Sequence, residues 1–267
     1  MAPRQGGSDA LRRLRRSPRV ARGIPLPLRV LDVLVVVLSL PVVLPLAAVL
    51  AVAVFLDSPG PILYRSQRIG KGGRPFAMLK FRTMVRDAIG PPLSARDDER
   101  YTPLGRSLAV SRLDELPQLW NVVRGDMRLV GPRPELEEFV RDFPELYERI
   151  LSVPPGLTGP AQLAYAWEGE TLAHAQEVDR ARLYREAILP YKLRIDLAYA
   201  ERHHVWGDLR LLALTATLPF VRTWRFLAHA VLLGSPAGRV RLAASMALVA
   251  SVVLLAGLLA VQTTGSL

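Results

Sequence analysis

The sequence predicts a small α/β domain that is mostly helical, contains a short β-hairpin and is attached to a membrane. Three observations predict this fold class: an almost wholly apolar run from Val30 to Leu56, helical spacing of apolar residues through the middle of the chain, and an uncharged run from Leu242 to Val261. The 267 residues, 50% of them hydrophobic, suffice for one such domain and additional membrane segments.

Composition and charge narrow the function classes. Lys and Arg total 35 against 24 Asp and Glu, and the formal net charge of +11 favours anionic partners such as phospholipid headgroups or nucleotides. The absence of cysteine excludes disulfides and thiolate metal sites, and four scattered histidines do not suggest zinc. Residues 1–29 combine many arginines with Pro, Gly and Ser, so we expect a basic, flexible tail.

The first apolar run, residues 30–56, is predicted to be a membrane helix. It is long enough to cross a bilayer, but Pro41 and Pro45 in its middle favour a kink. Arginines precede the run, and further basic residues follow it closely, so the positive-inside rule places both ends in the cytoplasm. A re-entrant helix satisfies this, while an ordinary spanning helix remains an equal alternative on hydropathy alone. The run is too long for an ordinary signal peptide.

The next part of the chain, residues 57–210, is predicted to be the folded domain. A turn cluster at 57–61 ends the apolar run, and Ile62–Tyr64 and Phe76–Phe81 read as strands of a hairpin around a glycine-rich turn. Apolar residues then follow helical spacing in three stretches: Leu113 to Val123, about 136–150 and about 171–199.

Two further segments near the C-terminus are predicted to contact the membrane. Residues 211–233 mix apolar residues with Arg, Trp and His, as expected of an amphipathic helix lying in the interface. Residues 242–261 carry no charge and follow two arginines, which predicts a C-terminal transmembrane helix. A helix buried against the other apolar segments is the alternative for this second segment.

Adjacent carboxylates and isolated cations are the candidates for chemistry. Asp114 and Glu115 come just before an amphipathic helix, where free amide donors and the helix dipole favour phosphate, although spacing alone favours simple helix capping. Arg133 lies between two prolines and would be a stiff guanidinium suited to bidentate phosphate contact. Lys80 and Arg82 could share one face of a strand, but each alone is more often solvated.

Several short motifs, read in order over residues 29–217, resemble the bacterial sugar transferases, the monotopic polyprenyl phosphate phosphoglycosyl transferases. One such motif would be weak evidence, but the series is specific because its members keep the family order. The motifs are SPGP (58–61), QRIG (67–70), KFRTM (80–84), LDELPQL (113–119), GDM (125–127), VGPRP (130–134), PGLTG (155–159), DLAY (196–199) and DL (208–209).

The resemblance implies a fold and a site. Residues 30–56 would be a re-entrant helix bent near Pro45, attached to a small cytosolic catalytic domain at the bacterial inner membrane. The catalytic dyad would be Asp114 and Glu115, water-accessible, with magnesium bound near Asp114. The residues carried over as substrate- and phosphate-binding are Lys80, Arg82, Arg112, Arg133, Asp196 and Tyr199.

The resemblance also implies a reaction. A sugar 1-phosphate would pass from a UDP-sugar to polyprenyl (undecaprenyl) phosphate through an aspartyl phosphosugar intermediate, with release of UMP. This would be a first membrane step of polysaccharide synthesis, with membrane lipids and a second copy of the chain as further expected partners. Nucleic acid is not an expected partner, because the basic residues lack interleaved aromatics and flank apolar membrane segments.

The chain departs from the family pattern at two arginine positions, occupied here by Ala109 and Pro154. Arg106 and Arg112 are the nearby substitutes for the first of these. A segment at 167–190 also resembles an insertion. These departures leave a second hypothesis open, in which the chain is a catalytically silent membrane scaffold that keeps the fold and binds lipid phosphate or partner glycosyltransferases.

Overall fold

A computed structural model describes residues 24–91, 93–94, 98–165, 172 and 177–215. Its first element is a 32-residue helix, α1 (Leu26–Asp57), that contains both Pro41 and Pro45. It begins four residues before the predicted start at Val30. Most of the predicted basic tail (1–23), most of the interfacial segment (216–233) and the predicted transmembrane helix (242–261) lie outside the described residues.

Helix α1 is long and apolar enough to cross a membrane. Its most apolar window has a mean hydropathy of 2.9, and only 11% of that window is buried against the rest of the protein. The core helix of a soluble domain would be mostly buried, so this exposure favours a lipid-facing role. The residues that are buried lie towards the two ends: Leu28, Asp32 and Val36 in the first part, and Leu50 and Val54 in the second.

The predicted hairpin is confirmed. Strand β1 (Leu63–Ile69) pairs antiparallel with β2 (Pro75–Phe81), and the 3-10 turn Lys71–Gly73 joins them. Met78 and Phe81 of β2 are buried although their spacing places them on opposite faces of the strand, while the side chains between them stay partly accessible. Its polar residues are therefore free to face a site beside the apolar core.

Two elements of the domain, a helix and a short strand, were not predicted from the sequence. Helix α2 (Pro103–Ser111) precedes the dyad motif, capped by Thr102, whose hydroxyl accepts a hydrogen bond from the Gly105 N–H. The turn motif after residue 154 contains a strand: β4 (Gly156–Thr158) pairs in parallel with β3 (Arg128–Val130). Three-residue strands are too short to show alternation, which explains why composition predicted only a turn.

The rest of the described chain is helical. The predicted helix at 136–150 is two helices, because Pro144 starts a new one after Phe143. The predicted helical stretch at 171–199 contains a π-helical segment. The bounds are α3 Gln118–Arg124, α4 Glu137–Asp142, α5 Pro144–Ile150, α6 Pro160–Ala164, α7 Glu177–Leu183, the π-helical segment Tyr184–Ile188, α8 Leu189–Arg202 and α9 at 205–215.

The apolar core forms three clusters, two of which include α1. One cluster joins Val36 of α1 to β2, α3 and β3, and another joins Leu50 and Val54 of α1 to Phe81 and Leu108. The third cluster packs α4, α5 and α8 together away from α1. Both parts of the apolar helix therefore rest on the same folded domain.

A buried ionic cluster fixes the first part of α1 to the domain. The guanidinium of Arg128 on β3 lies 2.9 Å from Asp32 of α1 and 3.0 Å from Asp208 of α9, and all three side chains are at most 3% exposed. Arg29 adds hydrogen bonds to the backbone carbonyls of Val122 and Val123. Because a buried charge is costly without its partner, these contacts specify where α1 meets β3 and α9.

Candidate active site

The dyad lies in a 3-10 turn between two helices. Arg112 adopts a left-handed conformation (φ 62°) that ends α2, and the turn Leu113–Glu115 follows directly. Pro117 then precedes α3, whose first residue is Gln118. The carboxylates therefore lie one turn before α3, and no side chain caps the start of that helix, so the helix-capping interpretation is not supported.

Three cations surround Glu115. Its Oε1 atom lies 2.9 Å from Arg133 Nη2, 3.0 Å from Arg112 Nη1 and 3.6 Å from Lys80 Nζ. Burial alone would raise the pKa of Glu115, but Arg133, Arg112 and Lys80 together outweigh it and hold that pKa well below its usual value. Glu115 is therefore ionised, and it holds three basic side chains close together beside Asp114.

The surroundings of Asp114 differ from those of Glu115. Its Oδ2 atom lies 3.8 Å from Lys80, and its Oδ1 atom is buried with no hydrogen-bond partner in the described part of the chain. Burial, with a further contribution from the charge of Glu115, raises the pKa of Asp114 to about 6, although Lys80 opposes the shift. An ionised carboxylate with an uncommitted oxygen beside a group of cations is a suitable nucleophile for a phosphorus atom.

The dyad is more enclosed than expected. The side chains of Asp114 and Glu115 are only 8% and 9% exposed, whereas the sequence predicted a water-accessible pair. Enclosure would strengthen electrostatic interactions with an anion at this site, because less water screens them.

Four of the predicted substrate-binding residues meet at or near the dyad. Lys80, Arg112 and Arg133 contact it directly, and Asp196 accepts a hydrogen bond from the backbone N–H of Arg133. Burial raises the pKa of Asp196 to about 7. Asp196 is thus placed to hold the Arg133 loop.

The two other predicted binding residues, Arg82 and Tyr199, have hydrogen-bond partners other than the dyad carboxylates in the described part of the chain. Arg82 donates to the carbonyl of Ser58, in the turn that ends α1, and its Nη1 atom is buried with no partner among the described residues. Tyr199 donates to Asp208 at 2.7 Å and so belongs to the ionic cluster that holds α1. A phosphate role for either remains a prediction.

A second polar cluster, which sequence reasoning missed, forms around Glu135, two residues after Arg133. Glu135 accepts a hydrogen bond from the Tyr184 hydroxyl at 2.7 Å and lies 3.6 Å from both Arg68 and Lys192. Burial alone would raise the pKa of Glu135, but Lys192 and Arg68 hold it below the usual value. The available signal was the acidic residue directly after the PRP motif.

Gln118 is a further residue beside the dyad to which sequence reasoning gave no role. Its side chain is fully buried, and both amide atoms lack a hydrogen-bond partner among the residues the structure describes. A buried amide without partners is unusual in a folded protein, so this position is a candidate for contact with a ligand. The signal in the sequence was its place within the LDELPQL motif.

The structure distinguishes the two arginines named above as substitutes for a family arginine at Ala109. Arg112 contacts Glu115, whereas Arg106 donates to the backbone carbonyl of Asp98 at 3.2 Å. Of these two arginines, Arg112 is therefore the one that contacts the dyad.

The residues present fit magnesium bound together with substrate. Among the described residues, no three His, Cys, Asp or Glu side chains form a cluster that could hold a metal alone. Magnesium commonly uses one or two carboxylates plus substrate phosphates, and the buried Asp114 Oδ1 without a protein partner is such a carboxylate oxygen.

Comparison with known proteins agrees with the motifs. The family model described as "Bacterial sugar transferase" matches residues 26–222. The chain is 39% identical over 204 residues to a UDP-glucose:undecaprenyl-phosphate glucose-1-phosphate transferase of Caulobacter vibrioides, covering 74% of this chain and 70% of that protein.

Two longer relatives match over a smaller share of their own length. A UDP-N-acetylgalactosamine-undecaprenyl-phosphate N-acetylgalactosaminephosphotransferase of Aeromonas hydrophila is 35% identical, covering 68% of this chain and 40% of that protein. A UDP-glucose:undecaprenyl-phosphate glucose-1-phosphate transferase of Escherichia coli is 33% identical, covering 71% of this chain and 39% of that protein. On the extent of the family match and of these identities, the chain belongs to the bacterial sugar transferase family.

Proposed function

We propose that this chain transfers a sugar 1-phosphate from a UDP-sugar to undecaprenyl phosphate, giving a polyprenyl diphosphate sugar and UMP. The observation that carries the proposal is the unequal environment of two adjacent carboxylates. Glu115 is neutralised by three cations, whereas Asp114 keeps a buried oxygen with no partner in the described part of the chain. The relatives named above support the same general reaction.

In the first half-reaction, Asp114 would attack the sugar-bearing phosphorus of the UDP-sugar. A bond forms between the carboxylate oxygen and that phosphorus, and the bond from phosphorus to the bridging oxygen breaks. The bridging oxygen leaves with its electron pair as part of UMP. Lys80, Arg112 and Arg133 would stabilise the charge that develops on the diphosphate.

In the second half-reaction, a phosphate oxygen of the lipid would attack the phosphorus held on Asp114. The new phosphorus–oxygen bond releases the carboxylate and completes the diphosphate. Since the pKa of Glu115 is held well below its usual value, Glu115 is better suited to position the cations than to accept a proton. Asp114 would also hold magnesium, which would supply further neutralisation of the diphosphate charge.

We further propose that α1 is re-entrant and that the domain lies on the cytoplasmic face of the bacterial inner membrane. Both parts of α1 contact the same domain, through Val36 in one core cluster and Leu50 in another. Basic residues lie at both ends of α1, among them Arg29 in its first turn and Arg65 shortly after its last residue. This arrangement would hold the dyad beside the headgroup region, where a lipid phosphate is available.

The test is UMP release from a panel of UDP-sugars in the presence of undecaprenyl phosphate and magnesium. We expect release with at least one sugar, and a loss of at least about 1,000-fold in Asp114→Asn. Asp87→Asn is the matched control, because Asp87 is exposed and asparagine tolerates its left-handed conformation (φ 57°). Absence of UMP release with every sugar would favour the silent scaffold.

A further inference from the structure

A cavity of about 210 Å³ opens beside the dyad and is not used by the chemistry described above. Arg112 and Glu115 line it on the side of the active site. Its apolar walls are four leucines: Leu113 in the 3-10 turn, Leu116 between that turn and α3, Leu119 in the first turn of α3, and Leu157 on β4. The cavity thus combines a charged margin with an apolar interior.

The apolar walls continue into the surface on which α1 rests. Leu113 and Leu116 pack in the cluster that contains Leu50 and Val54 of α1. Leu119 and Leu157 pack in the cluster that contains Val36 of α1. The cavity is therefore bounded by residues that support both parts of the membrane helix, and a ligand reaching it from the lipid side would stay in contact with apolar surface.

The polar residues of the cavity are unequally available. The hydroxyls of Thr158 and Thr215 bond to each other at 2.6 Å, whereas Gln162 keeps a buried Oε1 atom with no hydrogen-bond partner among the described residues. Arg112, by contrast, is partly exposed and carries a positive charge at the dyad. A ligand that fits has an anionic head and an apolar continuation. A nucleoside fits less well, since its base and ribose need several hydrogen-bond partners.

We propose that this cavity binds the first isoprenoid units of the polyprenyl phosphate acceptor, with the lipid phosphate beside Arg112. The inference rests on the proposed function and names the acceptor subsite of the same active site. It accounts for an apolar cavity at a charged centre: the lipid enters alongside α1, and its phosphate reaches the phosphorus held on Asp114 without the tail crossing the polar cleft.

The experiment compares the KM for the lipid acceptor with the KM for the UDP-sugar donor in variants of two leucines that line the cavity. Leu157→Trp fills the cavity, and Leu119→Gln makes its wall polar without adding bulk. We expect each to raise the KM for undecaprenyl phosphate by at least about tenfold, because a few buried methylene groups account for that much affinity. The KM for the UDP-sugar should change by less than about twofold, which is within the ordinary effect of a substitution outside a subsite.

The matched control is Leu163→Trp, because Leu163 is a partly buried leucine on α6 that does not line the cavity. A KM change confined to the UDP-sugar would overturn the proposal and assign the cavity to the nucleoside. Unchanged values for both substrates would also overturn it. Leu119→Gln keeps the test valid if the larger tryptophan prevents folding.

Direct binding separates this inference from the proposed function. Native mass spectrometry of the full chain in nanodiscs would count undecaprenyl phosphate molecules retained by wild type, Leu119→Gln and Leu163→Trp. Retention by wild type and Leu163→Trp, with loss in Leu119→Gln, supports the subsite even if no UDP-sugar is turned over. Equal retention by all three contradicts it even if the transferase reaction is demonstrated.

Discussion

Replacing Lys80 by methionine tests how the site sets the charge of its nucleophile. Lys80 lies 3.8 Å from Asp114 and is the cation whose charge most strongly opposes the raised pKa of that carboxyl. Methionine keeps much of the side-chain volume and removes the charge. We therefore expect the pKa of Asp114 to rise further above its present value of about 6.

The size of the shift follows from the distance. Two unit charges about 4 Å apart interact by about 4 kcal/mol at an effective dielectric constant of about 20, which corresponds to about three pKa units as an upper bound. Arg112 and Arg133 remain near the dyad, and water can enter the space left by the ammonium group. A rise of at least about one unit is therefore the expected result.

The assay is the pH dependence of kcat/KM for the UDP-sugar, measured as UMP release, which reports the ionisation of the free enzyme. Wild type should lose activity as pH falls through about 6, because the nucleophile must be ionised. In Lys80→Met the midpoint should move upward. Loss of a substrate contact alone would lower the rate equally at every pH. Lys71→Met is the control, and an unmoved or lowered midpoint in Lys80→Met would refute the reasoning.

Three further predictions concern stability. The pKa of Asp196 is raised from 3.8 to about 7, so the folded protein binds this proton more tightly than the unfolded chain does, and the free energy of unfolding falls as pH rises from about 4 to 7. Denaturation of Asp196→Asn should therefore show an unfolding free energy higher than that of wild type by up to about 4 kcal/mol at pH 8, and an unchanged value near pH 4. Arg128→Met leaves Asp32 and Asp208 buried without their cation, so the same method should show a loss of about 3–5 kcal/mol, and a loss below about 1 kcal/mol would contradict the ionic cluster. Gly156→Ala places a Cβ 2.0 Å from the backbone nitrogen of Gly131, the residue that follows β3, so we expect a fall in melting temperature. An unchanged melting temperature would contradict this close approach of the two backbones.

The elements with a strong local signal were predictable from the sequence. The apolar run predicted α1 to within four residues, because a long apolar stretch with Asp32 as its single charged residue has few alternatives to a membrane helix or a core helix. The glycine-rich turn between two apolar runs predicted the hairpin. The parallel pair of β3 and β4 could not be predicted, since its strands are 28 residues apart in register and too short to show a period.

The candidate site was predictable in its residues but not in its environment. The motif order indicated Asp114, Glu115 and the nearby cations. It could not show that three cations converge on Glu115 and leave one oxygen of Asp114 without a partner among the described residues, because those contacts bring together a strand, a turn and a loop. The polar cluster around Glu135 depends in the same way on a helix about 50 residues away, as the Tyr184 contact shows.

The most direct test of the central claim is to look for the covalent intermediate. The protein is incubated with its UDP-sugar and magnesium, without lipid phosphate, and is then quenched in acid for intact-protein and peptide mass spectrometry. We predict one added phosphosugar, located on Asp114, that disappears on addition of undecaprenyl phosphate and never forms in Asp114→Asn. An active enzyme that shows no adduct under these conditions, or carries it on another residue, would contradict the account.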